Sequence, residues 1–146
     1  MADEYLEDAV KMKRLQVWEE LRAIKEREGE TEHGDVNILP IRVMHGKLPI
    51  VGFRIDNFAY ITDMKTIPDT ELPYLEGVEY MIVNGLRHKE HPSHQSIEEA
   101  ITFTQKLGVK ETWLVHMSHH IEPHDIEEKT LPQGIHLAYD GEVIEF

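Results

Sequence analysis

The sequence predicts an α/β domain in which a mixed β-sheet carries helices. From Val36 onward, short runs of β-branched and aromatic residues follow one another, a composition that suits strands. Between residues 78 and 118 a strand pattern, a well-signalled helix and a second strand pattern come in succession. That unit usually builds a parallel strand pair through a right-handed crossover. At 146 residues the chain has the size of one domain and little room for a second core.

Residues 3 to about 29 carry Leu6, Val10, Leu15, Trp18, Leu21 and Ile24 at roughly three- and four-residue spacing among charged side chains, which predicts an amphipathic helix ending at Gly29. The polar stretch EREGETEHGD then marks a boundary, leaving a helical segment over 1–30 and a second unit over 36–146. The runs VNILPIRVM, LPIVGFRI and FAYITD predict an antiparallel meander with turns at Gly46 and at Asp56-Asn57. Pro40 and Pro49 lack a backbone donor and suit edge positions or bulges. VEYMIVNGL is mostly apolar on both faces, as expected of a central strand covered on both sides. Ser96 is a good N-cap, with Glu98 and Glu99 near the positive end of a helix that runs to Leu107 and stops at Gly108. KETWLVHMS is the next strand, and GIHLAYDGEVIEF predicts a terminal hairpin of two short strands around its Asp-Gly turn.

Composition narrows the function. A formal charge of −13 opposes non-specific binding to a phosphate backbone. No apolar run approaches the roughly 20 residues of a membrane helix, and the start MADEYLEDAV is acidic where a secretory signal would be basic and then apolar. The expectation is a soluble, cytoplasmic protein without membrane contact. With no cysteine, any metal site must use His, Asp or Glu. Ten histidines are present, seven of them between His88 and His124.

Four residues fall at strand ends or in adjoining loops: His45 after VNILPIRVM, Asp63 after FAYIT, His94 before the helix, and His116 in WLVHMSHH. Polar residues at strand ends can converge at one sheet edge, where open α/β folds commonly bind ligands. Imidazole and carboxylate are also the ligands of a zinc-like ion where thiolate is absent. On spacing alone they read equally well as solvated loop residues. His119, His120 and His124 in SHHIEPHD read as a solvated loop, with a Zn²⁺ or Ni²⁺ site as the alternative. His88 and His91 read as exposed beside Arg87, Lys89 and Glu90, with an extension of the site as the alternative, and His136 needs no special role.

In order and context, FAYITD, HPSH opening SIEEAITFTQKLGVK, TWLVHMSH and LAYDG resemble the C-terminal half of the metallo-β-lactamase superfamily. The likeness is to its phosphodiesterase branch of cyclic-phosphate diesterases and tRNA 3′-processing ribonucleases, over about residues 36–146. The resemblance implies a partial metallo-β-lactamase-like fold with helices on one sheet face. It implies a hydrolase that uses two divalent ions, Zn or Mn, on a small-molecule or nucleic-acid phosphodiester. By the same resemblance Asp63 bridges the metals, His116 is a terminal ligand, His45 ligates the other metal, and His94 contacts phosphate or acts as an acid. Asp140 in AYDG belongs to the hairpin.

The superfamily's H-x-H-x-D-H motif does not occur in this chain, and His33 in TEHGD cannot replace three ligands. The expectation is therefore the second half of a hydrolase, its partner a missing N-terminal half or a second copy in a homodimer, with the helix at residues 3–29 or that second chain covering an otherwise exposed sheet face. The alternative is a non-catalytic remnant or self-associating module of the same fold.

Overall fold

A computed structural model describes Glu19, Val36 and residues 38–146. The helix expected over residues 3–29, apart from Glu19, and His33 lie outside the described residues. The described part is one six-stranded mixed sheet in sequential order, β1 to β6. Strands β1 (Ile38–His45), β2 (Leu48–Ile55) and β3 (Phe58–Ile61) form the expected antiparallel meander. β4 (Tyr80–Asn84), β5 (Glu111–Val115) and β6 (Ile135–Leu137) continue the sheet in parallel. Pro40 lies on β1, and Pro49 lies in the part of β2 that β3 does not reach.

Helix α1 (Ile97–Leu107) connects β4 to β5. Its start is a capping box: the Glu99 N–H donates to Ser96 Oγ at 3.2 Å and the Ser96 N–H donates to the Glu99 carboxylate at 2.7 Å, satisfying two otherwise orphaned donors. The helix ends where Gly108 turns left-handed at φ 73°, a conformation that glycine adopts without a Cβ clash. Its buried side, Ile97, Ala100 and Thr104, lies over the sheet. The sheet alternates, and the face beneath α1 carries Ile41, Ile61, Val83, Leu114 and Leu137 in register, all essentially inaccessible. Each such side chain contributes roughly 1.5–3 kcal/mol by leaving water.

The opposite face presents Phe53, Tyr60, Ile82 and Trp113 across one row. Of these, Phe53 is 41% and Tyr60 46% exposed, so an apolar strip remains open among the described residues.

The terminal hairpin does not form. Asp140 and Gly141 do make a turn, with the Glu142 N–H on Tyr139 O at 3.2 Å, but β6 pairs in parallel with β5 and no second strand follows. Side-chain contacts take the arm elsewhere. The Trp113 indole donates to the Glu142 carboxylate at 2.8 Å, and Phe146 stacks on Phe58 with ring centroids 4.4 Å apart. The last residues thus lie over the open face, where aromatic burial outweighs a two-strand ladder.

Candidate functional site

His45 ends β1, Asp63 follows β3, His94 lies in the loop after β4, and His116 follows β5. β1, β3, β4 and β5 point the same way, so all four residues reach one edge of the sheet. Backbone bonds beside each one hold this edge together. Met44, beside His45, donates to Thr66 O at 2.8 Å and accepts from Lys65 N–H at 2.7 Å. Met64, beside Asp63, accepts from the Gln95 N–H at 3.0 Å, and Gln95 adjoins His94. Val115, beside His116, accepts from the Gly85 N–H at 3.0 Å. At the centre, the buried Asn84 side chain reads both backbone groups of Met64, accepting its N–H at 2.6 Å and donating to its carbonyl at 2.8 Å.

The side chains converge accordingly. His94 Nε2 lies 3.3 Å from His45 Nε2 and 3.1 Å from His116 Nε2, and His116 Nδ1 is 3.6 Å from Asp63 Oδ1. Thr62 donates to Asp63 Oδ1 at 2.5 Å. Ligand atoms of Asp63, His94 and His116 all fall within 4.8 Å of one another, while His45 joins through His94. His116 takes a left-handed φ of 62°, uncommon for a residue with a Cβ and worth noting at a site.

Burial holds the His94 pKa below the ordinary imidazole value, and the neighbouring His45 and His116 charges push it the same way against the opposing pull of Asp63. The neutral form is the one that offers a lone pair to a cation. Nε2 of neutral His94 cannot donate to both facing imidazoles at once, and each neutral ring has only one N–H. Convergent imidazole nitrogens with a carboxylate beside them therefore suit a divalent ion of the zinc type.

Two histidines for which the sequence favours exposure over an extension of the site, His91 and His88, are engaged beside it. His91 Nδ1 lies 3.2 Å from His94 Nδ1, with Ser93 Oγ 3.2 Å from the first and 3.1 Å from the second. The three-residue spacing of His91 and His94 was the available signal. His88, expected to be merely exposed, bonds Glu98 and Glu127. His136 likewise bonds Glu111 at 2.7 Å and Glu128 at 3.2 Å. His119 and His120 are exposed, as expected of a solvated loop, whereas His124, also exposed, opens a short helix and its Nε2 meets Leu137 O at 3.1 Å. Asp140 sits in its turn, away from the cluster's elements. No helix among the described residues is long and apolar enough to cross a membrane.

Comparisons with known proteins agree with this architecture. A crystal structure of a new diphosphatase from the PhnP family superposes with a TM-score of 0.72 at 38% identity, covering 76% of this chain and 44% of that one. The metallo-β-lactamase fold protein YhfI from Bacillus subtilis gives 0.61 at 20% identity over 77% of this chain and 50% of its own. Human tRNase Z, short form, gives 0.57 at 20% identity over 78% and 43%. The last two show the fold alone. Among curated proteins, an octanoyltransferase of Porphyromonas gingivalis is 45% identical over 108 residues, which is 73% of this chain and only 22% of that protein. The chain thus spans half or less of the length of each of these relatives. The family model for the beta-lactamase superfamily domain matches residues 2–117, reaching into the N-terminal segment that the motifs left unplaced, and the chain belongs to that family.

Proposed function

We propose that this chain supplies the C-terminal side of a metal-dependent phosphodiester hydrolase centre. The observation that carries the reading is the grouping of Asp63, His94 and His116 within 4.8 Å at the carboxyl ends of the strands. Asp63 and His116 would hold a divalent ion, Zn²⁺ or Mn²⁺, with His45 directed toward the second ion that the family resemblance implies. When bound, such ions supply an activated water and positive charge for the phosphoryl oxygens. His94 stands between these ligands. It is kept for the substrate instead of the metal: the charge of an arriving phosphodiester would raise its pKa, as Asp63 already does, readying it to hold a proton for a leaving oxygen. The PhnP-family diphosphatase at 38% identity supports hydrolysis at phosphorus, and the phosphodiester class rests on the family resemblance. The octanoyltransferase name belongs to a protein of which the matched segment is 22%, so it carries no acyl-transfer assignment here.

The test loads the full chain with Zn²⁺ or Mn²⁺, dialyses it, measures bound metal and assays an activated aryl phosphodiester. Retained stoichiometric metal, lost in Asp63→Asn and His116→Asn, supports the site, and turnover supports the reaction. Failure to retain metal removes the site reading. Metal without turnover removes the activity from the isolated chain and favours the second reading, a non-catalytic module of the same fold that associates through the open row at Phe53 and Tyr60.

A further inference from the structure

His88 lies on the loop between β4 and α1 that also carries His91, Ser93 and His94. Both of its ring nitrogens face carboxylates: Nδ1 is 2.5 Å from Glu98 Oε1 on the first turn of α1, and Nε2 is 2.7 Å from Glu127 Oε1. Glu127 belongs to the short helix α2 (His124–Glu127), and its side chain is 2% exposed. A neutral imidazole has one N–H and can donate to only one of these oxygens, whereas an imidazolium donates to both. The buried Glu127 carboxylate also accepts the Glu122 N–H at 3.2 Å and the Thr130 hydroxyl at 3.4 Å. Its remaining need is a cation, since an unpaired buried carboxylate is costly. No other charged group competes for it from the loop. Arg87 is turned back onto the carbonyls of Lys89 and Glu90, at 3.2 and 3.4 Å, and Lys89 and Glu90 are exposed.

We propose that His88 is a positioning residue whose protonated ring staples the site loop to α1 and α2, so that its deprotonation loosens the segment carrying His91 and His94. The staple joins segments 10 and 39 residues away in sequence and adds to the backbone ties at Leu86 and Gln95. The electrostatics run the same way. The Glu98 hydrogen bond raises the His88 pKa, burial opposes it, and Glu127 adds to the rise. Burial raises the Glu98 pKa, but the His88 bond and charge together with the hydrogen bonds from its own backbone and from Ser96 outweigh it and leave Glu98 below the ordinary carboxylate value. Glu98 therefore stays charged where His88 titrates. With a folded pKa above the free value of about 6.5, the staple is complete below that value and is lost as pH rises through the raised one.

The staple is independent of the function proposed above, and only its effect on turnover rests on that reading. The test accordingly uses the metal-free full chain without substrate. His88 protonation is followed by ring NMR, and amide exchange over residues 86–96 is measured between about pH 6 and 9 and corrected for intrinsic rates. The expected result is a His88 titration above that of a free imidazole, accompanied by a fall in loop protection of about tenfold. In His88→Gln the protection sits at the wild type's high-pH level throughout, and its dependence on this titration is gone. Glu98→Gln, which removes the more exposed partner, shifts the His88 titration downward and serves if His88→Gln does not fold. A His88 titration at or below the free value overturns the proposal, as does a His88→Gln chain with wild-type protection and pH dependence.

Discussion

Asn84 offers the sharpest test of how the site edge is held. It is fully buried and makes two hydrogen bonds to Met64, at 2.6 and 2.8 Å. Asn84→Ala removes both. The Met64 carbonyl keeps the Gln95 N–H at 3.0 Å, so one acceptor remains satisfied while the Met64 N–H is stranded. Two neutral bonds at about 1 kcal/mol each, plus about 1–2 kcal/mol for a buried unsatisfied donor, give a loss of roughly 3–4 kcal/mol. Urea unfolding of the wild type and the variant measures it. With a slope of about 1.5 kcal/mol per molar, the midpoint should fall by roughly 2 M. Because Met64 adjoins Asp63 and ties it to Gln95 beside His94, metal retention should weaken in the same variant. A midpoint shift below about 0.5 M at unchanged slope would refute the claim that Asn84 is the tie-point of this edge.

Other expectations follow from single contacts. Gly134→Ala should destabilise by about 2 kcal/mol or more, because a Cβ there would lie 2.4 Å from Lys110 O on a backbone at φ 79°; thermal unfolding reads it. Ser96→Ala breaks the capping box and should cost about 1 kcal/mol, with Ser96→Gly less harmful, again by urea midpoint. For His136, burial lowers the pKa but bonds to Glu111 and Glu128 outweigh it, leaving it raised. Its contribution is therefore full below about pH 6.5 and lost as pH rises through the raised value. His136→Gln should flatten the alkaline arm of the stability profile, and an unchanged arm would sink that account. Thr112 is fully buried with no hydrogen-bond partner for its hydroxyl among the described residues, so Thr112→Val should be neutral or stabilising by up to about 1 kcal/mol, as seen in the same unfolding curves.

What could be read in the sequence was what local chemistry decides. The α1 boundaries were legible because Ser96, Glu99 and Gly108 act within a turn of where they stand. The meander and the central β4 were legible because strand composition and alternation are properties of short windows. The Asp140-Gly141 turn was also read correctly, and yet the hairpin was wrong. Whether the arm after a turn pairs back depends on what else it can touch, and here Trp113 and Phe58 lie 29 and 88 positions upstream of the residues they hold, Glu142 and Phe146. The Glu–His–Glu bridges at His88 and His136 escaped for the same reason. Nothing near His88 in sequence announces Glu127. The candidates His45, Asp63, His94 and His116 are singled out by ordered motifs, and the structure brings all four to one edge. His91 reads as solvent-facing because its sequence neighbours are charged, and those neighbours say nothing of the rings that the fold brings beside it.

The shortness of β6 limits what one edge of the sheet can do between copies of this chain. Three residues long and last in the sheet, it exposes too little unpaired backbone to template a seventh strand from another molecule. Growth of the sheet sideways into fibrils is thereby blunted at this edge, even though the chain keeps Phe53 and Tyr60 in water.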